Sequence, residues 1–173
     1  MPSGGGTRIG APMSPLADTP SAPPAAPLSG AQIRGYLPHR GAMCLLAGVR
    51  TYSRDAIECM ATNHRDPAHP LRARGRLGTA CAIEYAAQAM AVHGALCADG
   101  PAEPAGALLA VRDVRFLVAR LDDIEGDLVI ACHCLARDAR GAVYRFLVAA
   151  AAGPLASGRA TVQFTPLARA GHV

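Results

Sequence analysis

Glu84 is the residue in this sequence best placed to do chemistry. It lies in Ala80-Cys81-Ala82-Ile83-Glu84-Tyr85-Ala86-Ala87-Gln88, a stretch that is apolar on nearly every side. A lone carboxylate in such a stripe is costly unless it is paired or protonated. Its presence therefore points to acid–base work. The plainer alternative is a carboxylate at the helix edge, favoured by the helix dipole. Gln88, one turn on, shares its face. Histidines would supply a complementary base. His39, in Leu37-Pro38-His39-Arg40, and His64, in Thr62-Asn63-His64-Arg65, both fall at junctions between ordered elements. A rigid scaffold can aim a side chain from such a place. His69 follows in the next loop, whereas His93, His133 and His172 read as structural. An acid in a dry site with a base near neutrality suits removal of a proton at one atom and delivery at another.

These side chains need a scaffold, and the chain offers one long helix. Ala80 to Leu96 holds strong helix formers, no proline and a single late glycine. Being apolar around most of its circumference, it should be buried mid-domain and not laid on a surface. Before it, Met43–Val49 and Ala56–Thr62 read as a hairpin turning near Ser53-Arg54-Asp55. After it, Ala107–Ala119, Asp127–Ala136, Ala142–Ala152 and Leu155–Phe164 read as four strands divided by turn residues. Ser29 followed by Gln32 suggests a capping box on a short helix that ends before Pro38. The expected architecture is α+β, an antiparallel sheet wrapped around one long central helix. Its alanines (Ala80, Ala82, Ala86, Ala87, Ala89 and Ala91 among them) would let the sheet approach closely. Residues 1–28, rich in Pro, Gly and Ala, read as a disordered tail, 29–167 as the folded domain and 168–173 as a flexible end.

Composition narrows the function classes. With 173 residues, 51% of them hydrophobic and 17% charged, the chain can bury one real core. The net charge of +4 comes with arginines scattered along the chain and no interleaved aromatics, which argues against nucleic-acid binding. No apolar run is long enough to span a bilayer and no secretion signal is evident, so a cytoplasmic location without membrane contact is expected. Six cysteines lack the dense spacing of a disulfide scaffold. Cys132-His133-Cys134 has no second ligand pair nearby, so these read as reduced thiols and no metal is expected.

The ordered set of motifs resembles a known family. Leu37-Pro38-His39-Arg40, Met43, Leu45-Leu46, a strand ending in His64 and Ile83-Glu84-Tyr85-Ala86-Ala87-Gln88 come in the order seen in hotdog-fold 3-hydroxyacyl-acyl-carrier-protein dehydratases. Asp113-Val114-Arg115-Phe116 followed by Gly126-Asp127-Leu128 fits as well. The likeness is greatest to the aryl-polyene and xanthomonadin-type relatives and spans about residues 30 to 165. It implies dehydration of 3-hydroxyacyl thioesters to trans-2-enoyl thioesters without a cofactor. Glu84 would be the acid, with Gln88 orienting it and His64 as base; His39 and then His69, which lies nearer the family's distance from Glu84, are the other candidates. Backbone N–H groups at Thr79 and Ala80 would polarise the thioester carbonyl. Arg72, Arg74 and Arg76 are either a solvated loop or a docking rim for an acidic carrier protein bearing the phosphopantetheine-linked substrate. A hotdog thioesterase, or a non-catalytic subunit of a heterodimer, is the alternative. A two-chain assembly, homodimer or heterodimer, is expected in every case because one sheet around one helix leaves open edges.

Overall fold

The computed structural model describes residues 27–98 and 106–164. Most of the expected N-terminal tail, residues 99–105 and the expected C-terminal end lie outside the described residues. Leu28, placed in the tail by the sequence, already pairs with Val49.

The helix expected from Ala80 to Leu96 is α2, Ala82–Leu96, entered through a 3-10 turn at Thr79–Cys81. Strands β1 (Leu28–Ser29), β2 (Gly48–Tyr52), β3 (Ala56–Ala61), β4 (Gly106–Phe116), β5 (Leu128–Asp138), β6 (Gly141–Ala150) and β7 (Gly153–Phe164) form one antiparallel sheet in the order β1-β2-β3-β5-β6-β7-β4. The sheet curls around α2. On β5 and β6 the alternate residues Leu128, Ile130, Cys132 and Tyr144, Phe146, Val148 are buried towards the helix. Ala82, Ala86 and Ala89 are completely buried, and their small side chains let backbones approach closely. The Cys132 thiol lies 3.8 Å from the Ala86 carbonyl.

Ser29 and Gln32 cap the short helix α1 (Gly30–Ile33), the Ser29 N–H and hydroxyl both donating to Gln32 Oε1 at 2.8 and 2.9 Å. A following 3-10 turn ends at Tyr36, and Leu37 is extended, as a residue before proline must be. The first expected strand is displaced. Gly41–Met43 is a 3-10 turn, and pairing with β3 runs over Gly48–Tyr52 instead of Met43–Val49. The reason is a competing partner for the backbone, as the site geometry shows below.

A buried carboxylate fixes the approach to α2. Asp122, its side chain only 1% exposed, receives Arg72 at 2.6 Å and also Arg120, while its Oδ1 accepts the Leu77 N–H at 3.0 Å. One acid thus ties the segment before the helix to the turn between β4 and β5. The Arg120 hydrogen bonds, helped by the Leu77 N–H, hold the Asp122 carboxyl well below the usual carboxylate range. Strand β4 lies at the end of the sheet and pairs only with β7. Both its faces are largely exposed.

Two outcomes follow for stability. A Cβ on Gly158 would sit 2.9 Å from Phe146 Cζ and 3.2 Å from Val114 Cγ2. Gly158→Ala should therefore destabilise by about 1–3 kcal/mol through overpacking, read by denaturant titration. A carboxyl whose folded pKa is depressed stabilises the fold above its unfolded value and loses that contribution as pH falls. The melting temperature should thus drop as pH falls below about 3.8, the ordinary Asp value, and Asp122→Asn should lower it at neutral pH while flattening that acid limb.

Candidate active site

The N-terminal turn of α2 faces the segment that follows Leu37-Pro38. Glu84 lies in the first turn, where the positive end of the helix dipole favours a carboxylate. His39 Nε2 is 3.1 Å from Glu84 Oε1, both side chains being about one-third exposed (32% and 31%). His39 lies between the buried, extended Leu37 and the extended Arg40, which leads into the 3-10 turn at Gly41, whose φ of +58° suits glycine. Arg40 braces this stretch by donating to the carbonyls of Leu37 (2.8 Å) and His39 (3.0 Å). The Cys44 thiol donates to the same His39 carbonyl at 3.3 Å.

Gln88 joins the two sides. Its Oε1 accepts the Leu45 N–H at 2.9 Å, and its Nε2 donates to the Met43 carbonyl at 2.8 Å and to Glu84 Oε1 at 2.9 Å. The amide is buried, and two of its three hydrogen bonds are made to the backbone. This is why Met43–Leu46 does not join the sheet: the Met43 carbonyl and the Leu45 N–H are held by Gln88, and the Met43 and Cys44 N–H groups by the carbonyls of Arg40 and Gly41. Glu84 Oε1 therefore accepts from Gln88 and stands within ion-pair distance of His39. Among the described residues Oε2 has no hydrogen-bond partner.

The other candidate histidines lie elsewhere. His64, placed first as base by the sequence, does not meet Glu84; its ring is completely buried and Nε2 donates to the Ile124 carbonyl at 3.0 Å. That bond anchors the end of β3 to the turn before β5. His69 accepts the Leu71 N–H on Nδ1 at 3.2 Å, so its proton is on Nε2, which donates to the Tyr85 oxygen at 2.9 Å. Tyr85 in turn donates to Asn63 Oδ1 at 2.8 Å. Burial, with Arg72 and His64 nearby, pulls the His69 pKa below its ordinary value against the opposing pull of Asp66. The ring is neutral and structural. The histidine brought to the acid within this chain is His39.

The remaining positions divide in the same way. Arg72 is not a free rim residue, since it donates to Asp122 and to the carbonyls of Asp66 (2.9 Å) and Gly75 (3.1 Å). Arg74 and Arg76 are exposed. Thr79 is buried, its hydroxyl donating to the Val118 carbonyl at 2.6 Å and its N–H pointing to the Ala119 carbonyl at 3.4 Å. That N–H is already engaged and does not await a substrate carbonyl, while Ala80 beside it is exposed. Sequence reasoning missed the Asn63–Tyr85–His69 chain and the Asp122 clamp. The signal available was a tyrosine inside an alanine-rich helix, whose hydroxyl must find a partner when buried.

With the geometry in hand, comparisons with known proteins place the chain. The ApeP-like family, described as ApeP dehydratase, matches residues 31–170. A comparison with curated protein sequences finds no match. Among solved structures, the chain is similar to the dehydratase heterocomplex ApeI:P from Xenorhabdus doucetiae. Identity is 26% and the TM-score 0.69, over 78% of this chain and 91% of that one. A thioesterase from Pseudomonas aeruginosa (15% identity, TM-score 0.60, 85% and 98% covered) and a thioesterase family protein from Silicibacter pomeroyi (17%, 0.57, 78% and 97%) share the fold. The sheet curled around one helix is thus the hotdog fold, and with most of its length matched the chain belongs to the ApeP-like dehydratase family.

Proposed function

We propose that this chain dehydrates 3-hydroxyacyl thioesters to trans-2-enoyl thioesters with His39 and Glu84 as its acid–base pair. The observation that carries the reading is the 3.1 Å contact between His39 Nε2 and Glu84 Oε1 at a partly open rim. His39 takes the proton from the carbon next to the thioester carbonyl, and Glu84 gives a proton to the departing hydroxyl, which leaves as water. The pair then stands as imidazolium and carboxylate. Return of a proton from His39 to Glu84 across the 3.1 Å gap restores both groups. Gln88 keeps the carboxylate aimed throughout, and no cofactor enters any step.

The substrate is expected on an acidic carrier protein through its phosphopantetheine arm, and the chain is expected in the cytoplasm. Among the described residues no helix is long and apolar enough to cross a membrane. The likeness to a dehydratase heterocomplex supports assembly with a second hotdog chain. So does the end strand β4, whose outer hydrogen-bonding edge is unpaired among the described residues and whose last residue, Phe116, is about half exposed, as is Leu117 after it.

Two measurements test this. With a 3-hydroxyacyl thioester surrogate and enoyl formation followed by absorbance, Glu84→Gln and His39→Ala should each lose about 10²–10⁴-fold in turnover. His64→Gln and His69→Gln should keep near-normal turnover per folded molecule while lowering the melting temperature. Full activity in His39→Ala, or release of free thiol in place of enoyl product, would defeat the assignment. In sedimentation the chain should form a two-chain assembly, alone or with a hotdog partner, and Phe116→Lys should weaken it. A monomer of unchanged activity would count against the shared-sheet reading.

A further inference from the structure

Three arginines that are far apart in sequence stand side by side on the outer face of the sheet. Arg112 of β4 lies opposite Arg159 of β7, and Arg159 lies opposite Arg145 of β6. His133 of β5 continues the line opposite Arg145. Residues directly opposite share a face. On β6 and β7 the neighbours Tyr144, Phe146 and Ala160 are buried towards α2, so Arg145 and Arg159 point the other way. Further along the same face, Arg115 stands opposite Ser157. All four arginines are exposed. Arg159 meets Asp113 at 3.8 Å, and among the described residues no carboxylate pairs with Arg112, Arg115 or Arg145. Like charges opposed across strands destabilise a sheet, and little within the chain offsets these.

Beside the row lies a groove of about 360 Å³, lined by Leu109, Val143 and Thr161 together with the charged Arg137, Asp138 and Arg140. Val143 and Thr161 are each two residues from an arginine of the row, hence on its face. Leu109 is 63% exposed.

We propose that this face docks a partner protein through an acidic amphipathic helix, its carboxylates on the arginine row and its apolar ridge in the adjoining groove. The spacing fits. Neighbouring strands are about 4.8 Å apart, and helix positions i and i+4 are about 5–6 Å apart between Cβ atoms. Successive acids on one helix face can therefore meet Arg112, Arg159 and Arg145 in turn. A second copy of the same face would set arginine against arginine. A single-stranded nucleic acid would need exposed aromatic stacking platforms, and Tyr144 and Phe146 are buried on the opposite face. A lipid surface is met by a continuous apolar face, whereas here Leu109 is interrupted by the charged Arg137, Asp138 and Arg140 of the same groove. The proposal is independent of the His39–Glu84 pair.

The test uses the full chain and a fluorescein-labelled helical peptide with Glu at i, i+4 and i+7 and leucines on the adjoining face, followed by anisotropy. Saturable binding is expected, weakening with added salt and at least about tenfold weaker for the double variant Arg112→Ala/Arg145→Ala, a change worth about 1.4 kcal/mol. Arg74→Ala/Arg76→Ala should bind as the unaltered chain does. Because it relieves repulsion, the double variant should melt no lower than the parent. Unchanged binding by that variant would overturn the proposal. So would a lower melting temperature accompanying its loss, or equal binding of a peptide with the same residues scrambled. Tighter capture by phosphatidylserine vesicles or by heparin than by the peptide would also overturn it, assigning the face to a lipid or a polyanion.

Discussion

The side-chain amide of Gln88 sits inside a helix whose other buried neighbours are mostly alanine, methionine and valine, and it makes three hydrogen bonds there. Two hold the Met43 carbonyl and the Leu45 N–H, and the third reaches Glu84. Leaving either backbone group unpaired in that interior would cost about 1–3 kcal/mol, so the segment after His39 has a strong reason to lie against α2 and nowhere else. That placement brings His39 to the acid. The same amide therefore decides the path of the chain between the first helix and the first long strand, and the composition of the site.

Much of the fold was legible because burial left clear marks. A helix apolar on all sides can only be central, and four strands separated by turn residues must then enclose it. What escaped was the path of Met43–Leu46. Its residues are as apolar as those of a strand, and periodicity cannot reveal that a glutamine forty-three positions later takes its backbone groups. Tertiary hydrogen bonding overrode local pattern there, and β2 begins at Gly48 as a result.

The site was legible in its acid and not in its base. Glu84 stands out because a carboxylate among alanines needs a reason. Two of the three candidate histidines, His39 and His64, fall at junctions between elements, and the sequence puts His64 first. Burial and partner decide otherwise. His64 and His69 each satisfy a backbone or tyrosine group inside the protein, which removes them from solvent and from substrate. His39 remains at the rim because proline before it and glycine after it hold the chain extended and then turn it sharply. The fitting signal was thus the company of His39 in the chain, a buried leucine, a proline and a glycine, more than its distance from Glu84.

The arginines show the opposite relation between sequence and structure. Along the chain they are scattered, and that scatter argued against any concentrated charge. Antiparallel pairing reorders them. Arg112, Arg145 and Arg159 belong to strands that are neighbours in the sheet, and the register sets all three in one line. A linear reading of charge runs detects a basic helix or loop, since neighbours in sequence are then neighbours in space. It is blind to a sheet, where a row one residue deep draws one member from each strand. The only charged run that such a reading did detect, Arg72 to Arg76, loses its first member to a buried carboxylate. In this fold, surface charge has to be read across the strands.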